Sequence, residues 1–177
     1  MLRRSRLRVP FILALATLGV AGVVAGGTAF ADSHGRRAPV TVGFKATGTF
    51  GMTPCPAGTP ANTFCANDSW APVTVDGLGE VTGTFVVQFS PPSFADNACG
   101  LVHKTGTIKT AGGDTLKVVA DGYSCVNVVT YQFAVTGGTG KFAHAHGGGL
   151  WLVPPPTTAG PDGGVGDEFV RGTVDLS

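Results

Sequence analysis

Charge is scarce in this chain. Charged residues make up 13% of its 177 positions, and the formal net charge is +1. No basic stripe runs along it, so nucleic acid and anionic membrane surfaces are poor partners. Past residue 31, Glu, Lys, Leu and Met are few, and no stretch carries apolar residues at helical spacing over three turns. That argues against a helical fold. There is no Gly-x-Ser-x-Gly and no Cys-x-x-Cys. The commonest signatures of serine hydrolases and zinc sites are therefore missing.

What is present begins with a targeting pattern. Arg3, Arg4, Arg6 and Arg8 precede an apolar run from Phe11 to Val24, and Ala29-Phe30-Ala31 is a small-x-small cleavage site. This reads as a signal peptide over residues 1–31, cut before Asp32. The apolar run is shorter than the ~20 residues a spanning helix needs. Arg3-Arg4 fits a twin-arginine signal poorly, so ordinary secretion is expected, with an extracellular location and no membrane association after cleavage. Four of the twelve basic residues leave with this segment, so eight bases face eleven acids, a formal −3.

The remainder is rich in Gly, Thr and Val, an all-β composition. Residues 32–39 read as a flexible N-terminus and 40–177 as one domain. Alternation predicts strands over Val40–Phe50, Trp70–Val75, Glu80–Phe89, Leu101–Thr110, Thr115–Ala120, Cys125–Thr136, His144–Val153 and Glu168–Leu176. A Gly-Thr step recurs inside strands at Gly48-Thr49, Gly83-Thr84, Gly106-Thr107 and Gly172-Thr173. Strand-interior glycine suits bending, which favours an antiparallel closed barrel of about eight strands over a flat sandwich. Cys55, Cys65, Cys99 and Cys125 form an even set in an exported chain, which implies two disulfides. Of three possible pairings, 55–65 with 99–125 is preferred, because Cys55–Cys65 brackets a Pro-containing loop.

Between two predicted strands lies Gly137-Gly138-Thr139-Gly140-Lys141-Phe142, followed by Ala145 and Gly147. A phosphate-binding loop is excluded. Val135 stands at its first glycine, Phe142 stands at its Ser/Thr, and a strand follows instead of a helix. The segment resembles the GGTGKF-x-x-A-x-G hairpin of plant dirigent proteins, within the wider allene oxide cyclase-like barrel superfamily. Similar barrels occur among exported actinobacterial proteins. The resemblance implies an eight-stranded barrel with this hairpin between two late strands. Dirigent proteins guide radical coupling with acidic and arginine residues inside the barrel. Here His146 stands where their segment has Arg, and Val40–Phe50 has no carboxylate. The resemblance therefore implies the fold and carries over no activity.

His144 and His146 lie two apart, and on one strand they would share a face. They are weak candidate metal ligands with His103 as the third donor, and a solvent-facing pair is preferred, so no metal or other cofactor is expected. Tyr123, Tyr131, His144, His146 and Trp151 are the candidate ligand contacts. Asp121 completes a polar-aromatic set that could line a cavity. Asn67-Asp68-Ser69 matches a glycosylation acceptor and is expected to be silent. The leading expectation is a secreted barrel that binds a small apolar molecule or acts structurally, without catalysis. The alternatives are a dirigent-like or allene oxide cyclase-like isomerase or stereochemical guide, and a cell-surface interaction protein. Nothing in the sequence indicates an oligomeric state.

Overall fold

The structure is a computed structural model, and it describes residues 38–90, 99–125, 128–160 and 162–176. The expected signal segment, nearly all of the expected N-terminal tail and most of the Pro91-Pro92 loop lie outside those residues.

The described chain is almost entirely strand. In order it forms β1 (Val40–Thr53), β2 (Phe64–Trp70), β3 (Val73–Val75), β4 (Gly79–Phe89), β5 (Gly100–Thr110), β6 (Thr115–Cys125), β7 (Val128–Gly138), β8 (His146–Val153), β9 (Thr158–Gly160) and β10 (Gly163–Asp175). One short 3-10 turn, Gly140–Phe142, joins β7 to β8. Eight strands pair in the order β1-β2-β4-β5-β6-β7-β8-β10. The register Val40↔Val174 through Gly51↔Gly163 then joins β10 back to β1 and closes the barrel. The short β3 and β9 add to β4 and β10 outside that ring. Closure leaves no open sheet edge in the ring.

Several expected boundaries differ, two of them for a plain physical reason. The predicted Trp70–Val75 strand is broken, because Pro72 has no N–H to donate; Trp70 ends β2, and Val73 starts β3. The strand expected to end at Ala120 runs on through Asp121-Gly122 to Cys125 as β6. Gly122 faces the Thr130 carbonyl so closely that a Cβ would collide with it. There glycine marks close backbone approach, not a turn.

Period-two alternation turns one face of every long strand inward. The interior falls into three levels along the barrel axis. At one end Val42, Val75, Leu78, Val81, Leu116 and Val174 pack as an aliphatic plug. Phe142, fully buried, caps this end from the β7–β8 turn, and the β5–β6 hairpin turns beside it. The middle level is aromatic, with Trp70, Phe85, Tyr131, Phe133 and Trp151 in mutual contact. Trp70 and Trp151 lie 5.0 Å apart between ring centroids, and Phe85 and Trp151 5.1 Å. At the other end the described side chains leave a space unfilled. Both disulfides sit there: Cys55–Cys65 closes the loop between β1 and β2, and Cys99–Cys125 ties the start of β5 to the end of β6.

Candidate functional site

Three ionisable residues point into the barrel from three strands. Asp68 follows Ala66 and precedes Trp70 on the inward phase of β2. Lys104 follows Val102 on β5, and Glu168 precedes Val170 on β10. All three are buried, at 5%, 1% and 4% exposure. Burying charge is costly unless it is paired, and the pairing is dense. Lys104 Nζ donates to Asp68 Oδ2 and, at 3.0 Å, to Glu168 Oε2. The indole N–H groups of Trp70 and Trp151 donate to the same Oε2 at 3.0 and 2.7 Å. The ammonium also lies 3.7 Å from the Trp151 ring centroid and 4.6 Å from that of Phe85. The aromatic level thus clamps the ions as well as filling space.

Two of the recurring strand glycines make room for this arrangement. A Cβ on Gly48 would sit 2.6 Å from Glu168 Oε1 and 3.2 Å from Asp68 Oδ1. A Cβ on Gly83 would press on the Trp70 and Phe85 rings at 2.7 and 2.5 Å. Glycine at these positions lets two carboxyl groups and two large rings share one cross-section.

The charge balance is incomplete, since one ammonium serves two carboxylates. For Glu168, burial works to raise the pKa. The Lys104 charge and the hydrogen bonds from Asp68, Trp70 and Lys104 outweigh it, and the group is held below its ordinary value. For Asp68 burial wins: with the Glu168 charge added it overcomes Lys104 and pushes the carboxyl up to about 7. Asp68 Oδ1 has no hydrogen-bond partner. Burial, followed by the charges of Glu168 and Asp68, also drives the Tyr131 hydroxyl far up.

These carboxyls form part of the wall of a cavity of about 260 Å³ at the open end. Phe50, Phe89, Tyr131, Val129 and Pro154 to Pro156 line it with them. The polar groups gather at the floor, and the walls and mouth are apolar. That is the usual form of a small-molecule site.

The candidates named from sequence divide cleanly. Tyr131 lines the cavity, and Trp151 holds the Glu168 carboxylate beneath it. Tyr123 lies on the outer face, 56% exposed. Asp121 also faces outward, 2.6 Å from His103 Nδ1. His144 falls in the turn before β8, so strand alternation does not align it with His146. His146 lies 3.5 Å from Asp175 on β10. The three histidines do not converge, and among the described residues no group of three or more His, Cys, Asp or Glu side chains is placed to hold a metal. The sequence reading missed Asp68 as a site residue, along with Lys104 and Glu168. The available signal was an ionisable residue in phase with buried apolar neighbours on each of three strands.

No family model matches the chain, and no curated protein matches it. Among solved structures, a pterocarpan synthase dirigent protein, GePTS1, is similar. It aligns with a TM-score of 0.46 at 13% identity, over 77% of this chain and 86% of that one.

Proposed function

We propose that this is an exported barrel that binds a small, mostly apolar molecule in its open end and orients it on the Asp68–Glu168 floor. The observation that carries the reading is a cavity with largely apolar walls that also has two carboxyl residues, Asp68 and Glu168, in its lining. Two disulfides at the rim fit life in an oxidising compartment. No described helix is long and apolar enough to cross a membrane. The expected partner is a small molecule, not nucleic acid or lipid.

Both tryptophans border the floor, so their fluorescence reports occupancy. Titration with 3-phenylpropan-1-ol, a neutral probe of suitable size, is expected to give a saturable change. Val129→Phe fills the cavity and should abolish that change. A linear, unsaturable response in both proteins would sink the reading.

A second reading rests on Asp68, whose pKa of about 7 lets it give or take a proton near neutrality. On it the barrel acts on its ligand, as an isomerase or stereochemical guide would. Deuterium uptake from D2O into a bound ligand, lost in Asp68→Asn, would support it. Ligand recovered without deuterium would count against it.

A further inference from the structure

We propose that the cavity takes a protonated organic amine, with the ammonium at the Asp68–Glu168 floor and the hydrocarbon body among Phe50, Phe89, Val129 and Pro154 to Pro156. This rests on the cavity being a ligand site and names the chemistry that fits it.

The sign of the floor is the first ground. Among the described lining residues, Asp68 and Glu168 are the ionisable side chains besides Tyr131, and none is a Lys, Arg or His. Lys104 holds the carboxyls but is not among them. Ionised, the cluster carries two negative charges and one positive. A second ammonium restores neutrality, whereas a carboxylate ligand would add like charge in a poorly screened site.

The placement of donors is the second ground. Glu168 Oε2 takes the Lys104, Trp70 and Trp151 donors, and none of them reaches Oε1. Asp68 Oδ2 takes Lys104, and Oδ1 lies with Glu168 Oε1 against Gly48, where neither Lys104 nor the indoles donate to it. Asp68 is 5% exposed, so bulk water does little for it. An ammonium brings three donors to a place that offers only acceptors. The rings of Phe50, Phe89 and Tyr131 on the wall add faces that favour a cation.

A proton and an ammonium then compete for the same carboxyl. The charged and titratable groups around Asp68 are Lys104 from β5, Glu168 from β10 and Tyr131 from β7. Tyr131 stays neutral throughout, and Glu168 stays ionised down to acid pH. Across neutrality the competition therefore turns on Asp68. Ammonium binding should tighten as pH rises through about 7. A neutral ligand that accepts a hydrogen bond from protonated Asp68 would show the opposite slope.

The experiment is calorimetric titration of the purified protein with three matched probes: 3-phenylpropylammonium, 3-phenylpropan-1-ol and 3-phenylpropanoate. The ammonium should bind tightest at pH 8 and the carboxylate not at all. Ammonium affinity should rise roughly thirtyfold from pH 5.5 to 8, following the ionised fraction of Asp68. Asp68→Asn should lower ammonium affinity to the level of the alcohol and flatten its dependence on pH. Should that variant fail to fold, the slope in the unaltered protein decides. Alcohol binding as tight as ammonium at pH 8, or a reversed slope, overturns the amine and leaves the apolar-ligand reading standing. Failure of all three probes overturns both.

Discussion

The two ends of this barrel are built from different materials. The closed end holds together by burial: Leu116, Val75 and Val81 pack in the core with Phe142, and among the described residues no charged side chain is buried there. The open end is held by covalent bridges, at Cys55–Cys65 and Cys99–Cys125, around a space that side chains do not fill. Between them lies the level of Lys104, Asp68, Glu168 and the two tryptophans. A barrel packed to both ends would be more stable and would bind nothing. Apolar packing given up at the mouth is replaced by cross-links, which stabilise by restricting the unfolded chain and need no filled core.

That contrast can be broken most directly at the middle level. Lys104→Met removes the one cation and leaves two buried carboxyls facing each other, so it should cost about 3–5 kcal/mol. Urea denaturation at pH 7 measures it. If the loss is instead below 1 kcal/mol, the cluster is wetter than its burial implies. At the closed end, Phe142→Ala opens a void in a packed interior and should cost about 3 kcal/mol, with ligand binding at the far end unchanged once the protein is folded. At the open end, replacing Cys99 and Cys125 by Ser should cost a similar or smaller amount, about 2–4 kcal/mol. Unlike the Phe142 change, it should also weaken binding, because Cys125 lines the cavity. Equal effects of both changes on binding would erase the distinction between the ends.

Much of the fold was legible because alternation is a local signal. In β4, Val81, Phe85 and Val87 fall inward in turn, and in β7 Tyr131, Phe133 and Val135 do the same. The Gly137–Phe142 segment marked the turn that caps the barrel, and both disulfides follow the preferred pairing. Local signals failed where context decided. The second strand is expected to start only at Trp70, yet Phe64 to Ser69 pair with β4 and belong to β2.

The site was harder to read. Lys104 is 36 residues from Asp68 and 64 from Glu168, and only barrel closure brings them together. The pairing of β1 with both β2 and β10 sets Asp68 and Glu168 on either side of Gly48. Of the aromatic and histidine candidates, Tyr131 and Trp151 are the two whose strand phase turns them inward, toward the Asp68–Glu168 pair.

The smallest expected effect is on stability as a function of pH, and its sign is fixed by the shifts. Asp68 is raised when folded, so its contribution is fully present below the ordinary carboxylate range and is lost as pH climbs from about 4 to about 7. Glu168 is lowered, so its contribution is present above its ordinary range and is lost only in acid. Melting temperature should therefore decline between pH 5 and pH 8, and Asp68→Asn should flatten that decline. An unchanged slope in the variant would assign the trend to other groups.

The central claim is that the cavity floor holds a carboxyl poised near neutrality. The measurement that addresses it most directly is a carbon-detected NMR titration of the Asp68 side-chain carboxyl, assigned by its loss in Asp68→Asn. The midpoint should fall at about 7, and added 3-phenylpropylammonium should move it down. A midpoint near 4, the value of an ordinary exposed aspartate, would contradict the account.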